Sequence, residues 1–126
     1  AVHLDSLGKS AGVRAFAVHP GGILTPLQRH LPREEMLALG WIDEEGTVNA
    51  IFKNPQQGAS TTIWAATASK LEGLGGVYCE DCEIALPTDT ESNRARYSGV
   101  DTHAIDPDAA ARLWELSVEL SGAEGF

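Results

Sequence analysis

The sequence predicts an α/β protein built around a parallel sheet, and three observations support that fold class. Residues 13–19 form an apolar run with little alternation, which is typical of a strand covered on both faces. Residues 76–83 form a second strand-like run. Helical segments lie between the two runs and after them. Because a helical crossover joins strands in parallel, we expect two parallel strands with flanking helices.

Length and charge limit the kinds of protein that this chain can be. Its 126 residues suit one domain or part of one, and 43% hydrophobic with 21% charged residues is a globular composition. The formal net charge of −9 disfavours binding to nucleic acids and to anionic lipid surfaces. No apolar stretch approaches the roughly 20 residues that cross a bilayer. We therefore expect no nucleic-acid partner, no membrane span and a cytoplasmic location, although no targeting signal assigns one.

The chain begins with the pattern of a helix end. Within residues 1–10, Leu4 and Leu7 have helical spacing, and no capping residue precedes them. We expect these residues to be the last turns of a truncated helix, closed by a glycine-rich turn. The strand at 13–19 then stops at residues 20–25, which read Pro-Gly-Gly-Ile-Leu-Thr. Ligands bind outside the carboxyl ends of strands in open α/β sheets, so this junction predicts a ligand-facing loop.

We expect residues 25–53 to be the substrate-loop region, and the pattern from Thr25 to about Gly46 within it predicts a broken helical excursion. Thr25 and Pro26 can open one short helix, and Pro32 interrupts it and starts another. The segment is apolar, with Leu27, Leu31, Met36, Leu37, Leu39, Trp41 and Ile42. Two interpretations stay open: a lid over a substrate, and an ordinary packed connection.

A well-capped helix is predicted from Asn54 onward, to about residue 69. Asparagine stands at the N-cap, proline follows at the first helical position, and Gln57 can reach back to the cap. Ala59, Ile63 and Ala66 fall along one line of this helix. They predict a small-residue face that packs closely on a sheet or on another helix.

The last third of the chain predicts a polar loop and a final helix. Residues 88–106 are polar, and Asp106 with Pro107 begins a helix that Gly122 ends. Its predicted inner face consists of Ala110, Leu113, Trp114, Ser117 and Leu120. Residues 123–126 are expected to fray.

Cys79 and Cys82 form a lone Cys-x-x-Cys pair, a spacing found in redox pairs and in half of a zinc site. No second cysteine pair and no close histidine pair accompanies them. We assign no metal site, and expect two reduced, partly buried thiols. His19 stands beside the predicted loop, but the sequence shows no partner to orient it as a general base.

Three stretches and the ending of the chain carry a family resemblance. They are His19-Pro20-Gly21 to Thr25, Asn54-Pro55-Gln56-Gln57-Gly58-Ala59 to Thr67, Leu71-Glu72-Gly73-Leu74-Gly75-Gly76-Val77-Tyr78-Cys79-Glu80-Asp81-Cys82, and Asp106-Pro107 to Ser117. In order and spacing they resemble the C-terminal part of short-chain dehydrogenases/reductases, in the branch of retinol dehydrogenases and WW-domain oxidoreductases. The resemblance implies that residues 1–126 are the C-terminal portion of one doubly wound, Rossmann-type domain.

The resemblance also implies that the catalytic residues are missing. In that family a glycine-rich loop and the catalytic Ser, Tyr and Lys stand at positions that would precede Ala1. Tyr78 and Tyr97 are not in a Tyr-x-x-x-Lys context. No catalytic residue is therefore assigned in this chain.

A cofactor loop for NAD or NADP does carry over by resemblance. Pro20 and Gly21 would shape the turn, Ile23 would offer its backbone to the nicotinamide carboxamide, and Thr25 would offer its hydroxyl to the carboxamide or pyrophosphate. Residue chemistry agrees, because proline fixes φ and glycine permits close backbone approach. The neighbouring side chains that suggest an apolar alcohol or carbonyl substrate are Leu24, Leu27, Met36 and Trp41.

Two functions are compatible with these observations. In the first, the chain is the C-terminal half of an NAD(P)-dependent oxidoreductase, is inactive alone, and associates with the missing N-terminal half or forms a homo-oligomer. In the second, it is a non-catalytic interaction module that self-associates through the small-residue helix and the uncovered edge of the first strand.

Overall fold

The computed structural model describes residues 1–88 and 98–123, so Tyr97, part of the predicted polar loop and most of the predicted frayed tail lie outside it. This part of the chain has the following helices and strands: α1 (Val2–Gly8), β1 (Ala17–His19), α2 (Arg33–Ala38), α3 (Pro55–Thr67), β2 (Tyr78–Glu80), β3 (Glu83–Ile84) and α4 (Pro107–Ser121). Short 3₁₀ turns occupy Lys9–Ala11, Pro26–Gln28, Ser69–Leu71 and Thr102–Ile105. None of the helices so described is long and apolar enough to cross a membrane.

The sheet confirms the predicted parallel pair. Its strand order is β1-β2-β3, and β1 runs parallel to β2 with Ala17 opposite Tyr78 and His19 opposite Glu80. The helix α3 lies in the connection between them, as a parallel crossover requires. A mixed α/β fold is therefore present, whereas the doubly wound arrangement stays a prediction.

The prediction of one strand over 76–83 is wrong. The strand β2 ends at Glu80, and Asp81 and Cys82 have φ angles of 48° and 58°. Two consecutive positive φ angles reverse the chain in a two-residue hairpin, so β3 returns antiparallel to β2. The sheet consequently has a third strand that the sequence pattern did not reveal.

The first strand is also shorter than its predicted range of 13–19. Its regular ladder covers only Ala17–His19. Before it, the backbone N–H of Ala15 donates to the Asp5 carboxylate at 3.0 Å, so a side chain takes the place of a neighbouring strand there. The apolar run marks the buried segment correctly but overstates the length of the ladder.

The buried core lies between α3 and one face of the sheet. Ala65, Leu71 and Cys79 form its centre, and Phe16, Val18, Trp64, Val77 and Ile84 pack around them. The buried row of α3 is Gly58, Thr61 and Ala65. The predicted small-residue line of Ala59, Ile63 and Ala66 faces away from this core, and Ile63 is 61% exposed. Gly58 and Thr61 face inward because other residues approach them closely: Ile23 approaches Gly58, and Cys82 approaches Thr61.

The last helix, α4, packs on α1 through part of its predicted inner face. The ring of Trp114 lies 5.6 Å from the ring of His3 between centroids, and Ala110 is half-buried. Leu120 is 79% exposed, so its predicted inner position is wrong, whereas Leu113, 65% exposed, lines the hollow between α1 and α4. The apolar stripe of α4 is wider than the surface that the described residues cover.

The predicted helix starts are confirmed by their hydrogen bonds. Asn54 Oδ1 accepts from the N–H of Gln57 at 2.8 Å, and Gln57 Oε1 accepts from the N–H of Asn54 at 2.9 Å. Asp106 Oδ1 accepts from the N–H of Ala109 at 2.6 Å. Gly122 ends α4 with a φ of 65°. These local signals set helix boundaries because they satisfy N–H and C=O groups that the helix leaves unpaired.

Candidate functional site

The candidate site lies where β1 and β2 end side by side. Because the two strands are parallel, His19 and Glu80 stand opposite each other at the same edge of the sheet. Residues 20–25 leave from this edge. Gly21 has a φ of 88°, which an L side chain rarely adopts, and this angle turns the chain away from the direction of β1.

A backbone bridge closes the excursion that begins at this loop. Ile23 pairs with Lys53 in a parallel bridge, and the N–H of Lys53 donates to the carbonyl of Gly22 at 2.8 Å. The segment predicted as 25–53 thus leaves and returns at one point. Such a closed excursion keeps the loop in a defined place while its interior residues extend outward.

The absence of a side chain at Gly58 makes room for the side chain of Ile23. A Cβ atom at Gly58 would lie 2.1 Å from Cδ1 of Ile23, far inside contact distance. Since Gly58 is in the first turns of α3, this contact seats the loop on the helix that packs against the sheet. Glycine is therefore required here by packing.

Thr25 caps the short turn that follows the loop. Its Oγ1 accepts from the N–H of Leu27 at 3.2 Å, and its own N–H donates to Gln28 Oε1 at 2.8 Å. Gln28 also reaches back, its Nε2 donating to the carbonyl of Ile23 at 3.4 Å. The Thr25 hydroxyl also donates to Gln28 Oε1 at 3.3 Å, and the residue as a whole is exposed.

The four predicted substrate residues are spread over the excursion. Leu24 and Met36 are half-buried, and Leu27 is 78% exposed. The ring of Trp41 packs edge-on against Phe52 with centroids 5.5 Å apart. Phe52 in turn lies beside Gly22, near enough to contact a Cβ there. Trp41 therefore reaches the loop through Phe52, whereas Leu27 points to solvent.

Burial favours the neutral forms of two nearby groups, the Tyr78 phenol and the Cys79 thiol. Burial, with a smaller contribution from the charge of Glu80, raises the pKa of Tyr78, whose ring stacks beside that of His19 at 6.5 Å. Burial raises the pKa of Cys79. A buried thiol with a raised pKa is a poor nucleophile and metal ligand, and Cys82 sits apart from it in the hairpin turn. Within residues 1–88 and 98–123 no cluster of three or more metal-ligating side chains occurs.

Two hollows lie away from residues 20–25. One, of about 450 Å³, is lined by residues of both α1 and α4 and by Tyr78. The other, of about 750 Å³, lies beside β1 and is lined by Phe16, Val18 and Ala65. Neither lining includes residues 20–25. The loop therefore belongs to neither of these two hollows.

Sequence reasoning missed two contributors to this region, Lys53 and Gly58. Gly58 stood inside a quoted motif, but a glycine in a helix interior is itself a signal, because it costs up to about 1 kcal/mol relative to alanine unless packing requires it. Lys53 gave no local signal. Its position depends on the return of the excursion to its starting point.

Comparison with known proteins places the chain among characterised sequences. It is 41% identical over 114 residues to a "Probable oxidoreductase" of Streptomyces lividans, and the match covers 89% of this chain and 38% of that protein. It is 40% identical over 111 residues to "Short-chain dehydrogenase/reductase prx1" of Penicillium roqueforti, covering 88% of this chain and 31% of that protein. The chain is related to the C-terminal part of short-chain dehydrogenases/reductases.

This relationship to short-chain dehydrogenases/reductases confirms the family resemblance predicted from the motifs. It extends to "Retinol dehydrogenase 12" of Mus musculus, which is 34% identical over 116 residues, covering 92% of this chain and 30% of that protein. The chain spans about a third of the length of the curated relatives that it matches. No family model and no solved structure matches it.

Proposed function

We propose that this chain is the C-terminal part of an NAD(P)-dependent oxidoreductase, in which residues 20–25 form one wall of the nicotinamide site. The observation that carries the proposal is the position of this loop. It leaves the carboxyl end of a parallel strand in a chain related to oxidoreductases over most of its length. In open α/β sheets this edge is where ligands bind.

The residues of the loop fit the nicotinamide end of a dinucleotide. Gly22 is exposed and has no side chain, so a flat ring can approach the backbone, and Thr25 is an exposed residue whose hydroxyl is oriented by its cap. Bound nicotinamide would supply or accept the hydride. Pro20 and Gly21 would hold the turn, Ile23 would present backbone groups, and Thr25 would bind the carboxamide or a phosphate oxygen.

An apolar alcohol or carbonyl compound is the proposed substrate. The excursion exposes large apolar side chains beside the loop, including Leu27 at 78% and Ile51 at 64%. Exposed apolar side chains grouped on one segment are typical of a binding surface. Leu24, Leu27, Met36 and Trp41 remain the proposed contacts.

The proposal is tested by comparing this chain alone with the same chain joined to whatever polypeptide its gene encodes upstream. We expect the longer protein to oxidise NADH or NADPH with decanal, a long-chain aldehyde, and the 126-residue chain to show neither tight dinucleotide binding nor turnover. In the longer protein, Thr25→Val should lower kcat/KM about tenfold, and the matched Thr25→Ser should keep it. Turnover by the short chain, or no dinucleotide binding by the long one, would overturn the proposal.

Self-association is the second candidate function, and the outer face of α3 favours it. Ala59, Ile63 and Ala66 are exposed together on this helix. Small residues around one larger apolar side chain allow close packing of two copies. Sedimentation at micromolar concentration should then show a dimer that Ile63→Lys dissociates, and a monomeric wild-type chain would contradict this candidate.

A further inference from the structure

The side chain of Lys53 lies directly over the loop after β1. Its backbone N–H already holds the carbonyl of Gly22. The far end of its side chain covers Gly21, because Cδ, Cε and Nζ would come within 2.8 to 2.9 Å of a Cβ atom there. Gly21 is thus constrained twice, by its positive φ angle and by the lysine above it.

The ammonium group of Lys53 pairs with the carboxylate of Asp81. Asp81 belongs to the two-residue turn between β2 and β3, at the sheet edge where β1 also ends. The next residue, Cys82, donates its N–H to the hydroxyl of Thr61 at 3.3 Å, and Thr61 is buried in α3. The carboxylate therefore projects from a turn that is fixed on the core.

We infer that Lys53 and Asp81 are positioning residues that hold the Pro20–Thr25 loop against the end of the sheet. The contacts run from Asp81 to Lys53 and from Lys53 to the backbone of Gly21 and Gly22. Neither charged group touches a reacting atom in this scheme. The inference rests on the proposed function for its meaning, since a loop displaced by about 1 Å misplaces a bound nicotinamide and slows the reaction.

The exposure of Lys53 and Asp81 agrees with a role in positioning the loop of residues 20–25 and not in stabilising the whole fold. The side chain of Lys53 is 26% exposed and that of Asp81 is 71% exposed. Exposed ion pairs contribute little to global stability. A lysine stem packed on glycine can nevertheless restrict a loop, because the methylene groups make the contact and the ammonium group fixes where they lie.

Amide hydrogen exchange on the 126-residue chain tests the inference without a cofactor. Lys53→Met keeps most of the stem and removes the charge, and Asp81→Asn removes the partner. Both should speed exchange of the residue-53 amide about fivefold, while the Gly76 amide, bonded to Ala15 at 2.8 Å, keeps its rate. Lys53→Arg should restore protection. Unchanged exchange at residue 53 in both variants would overturn the inference.

The chain offers a matched control in Lys70 and Glu83. Their groups meet at 2.6 and 2.7 Å and are likewise exposed, but the pair joins the turn after α3 to β3 and does not reach residues 20–25. Lys70→Met should leave the residue-53 amide unchanged. An equal effect of Lys70→Met would show that lost charge alone loosens the loop, and would also overturn the inference.

Kinetics of the longer protein separate this inference from the proposed function. Lys53→Met and Asp81→Asn should each raise KM for the dinucleotide about fivefold, and the double variant should be no worse than either. If wild-type protein binds no dinucleotide, the proposed function fails, and hydrogen exchange still decides the positioning. If wild-type protein is active and the variants equal it, the positioning role alone fails.

Discussion

The two ends of β1 are each tied down by an ion pair, and the pairs differ in kind. At the amino end Arg14 holds Asp5 with two bonds of 2.9 Å, and the Asp5 side chain is only 9% exposed. At the carboxyl end Lys53 holds Asp81, which is 71% exposed. The two carboxylates differ most, since that of Asp5 is buried beside backbone and that of Asp81 faces solvent. We call the Asp5–Arg14 pair the anchor and the Lys53–Asp81 pair the fastening. The fastening lies at the end of β1 where a ligand is proposed to bind.

Backbone groups also bond to the ion pair at the amino end of β1. Asp5 also accepts the N–H of Ala15, and Arg14 also donates to the carbonyl of Gly73 at 2.8 Å. Helix α1, strand β1 and the loop that leads to β2 therefore meet at one carboxylate and one guanidinium. The Arg14 guanidinium holds the pKa of Asp5 below its ordinary value, against the opposing effect of burial.

The largest effect is expected from Gly75→Ala, which breaks the anchor by overpacking. A Cβ atom at Gly75 would lie 1.8 Å from Oδ1 of Asp5 and 2.5 Å from a nitrogen of Arg14. Both side chains would have to leave their geometry, at a cost of about 3 kcal/mol or more. Urea unfolding measures it. Gly22→Ala is the control for lost backbone freedom, because Gly22, like Gly75, has no positive φ, and a Cβ there would only reach ordinary contact with Phe52 at 3.4 Å. Equal losses in the two variants would show that crowding at Gly75 is not the cause.

Asp5→Asn should destabilise less than Gly75→Ala, because the amide oxygen can keep the bond from Ala15. Its effect should depend on pH. A carboxylate with a lowered folded-state pKa contributes stability above its unfolded pKa of about 4, and that stability is lost as pH falls through the folded pKa. Chemical unfolding should therefore show the gap between wild type and variant widest near pH 7 and shrinking below about pH 4. A gap independent of pH would mean that the Asp5 charge does not stabilise the fold.

Gly58→Ala tests how tightly the loop packs at the carboxyl end of β1. A glycine-to-alanine change inside a helix ordinarily stabilises by up to about 1 kcal/mol. Here the added methyl meets Ile23, so we expect a loss of about 1–2 kcal/mol instead. Thermal unfolding gives the sign, and Gly58→Ala combined with Ile23→Val should recover part of the loss. A stabilised single variant would show that Ile23 moves aside freely.

The smallest effect on stability is expected from Asp81→Asn. An exposed ion pair contributes at most about 1 kcal/mol, so the unfolding midpoint should hardly move. High salt should reduce the difference further. Urea unfolding in low and in high salt measures the shift of the midpoint and its dependence on salt. A loss as large as that of Gly75→Ala would erase the distinction between anchor and fastening.

Local signals in the sequence predicted the helix starts and the parallel pair well. Asn54 and Asp106 cap their own helices, so each boundary depends on residues only three apart. The hairpin at Asp81 and Cys82 was missed because neither residue announces a positive φ as glycine does. The buried face of α3 was missed for another reason: its choice depends on Ile23, far away in the chain.

The candidate site divides in the same way. Residues 20–25 were recognisable because a strand ends there with proline and two glycines in succession. Lys53 was not, since its role arises only when the excursion returns to Ile23. Asp5 could have been suspected, because an acidic residue among the apolar positions of a short helix needs a cation once it is buried.

The hairpin at Asp81 also determines which edge of the sheet can pair with a further strand. Strand β3 has two residues and runs against its neighbour, so it is a poor template for further strands. On the opposite side, within the described residues, β1 is the last strand. Ala17 directs its N–H and Ala15 its carbonyl toward β2, so the peptide groups of Phe16 and Val18 point outward. A chain that extends this sheet, whether a physiological partner or a misfolded neighbour, would add more readily beside β1, which makes that edge the place to protect when the protein is concentrated.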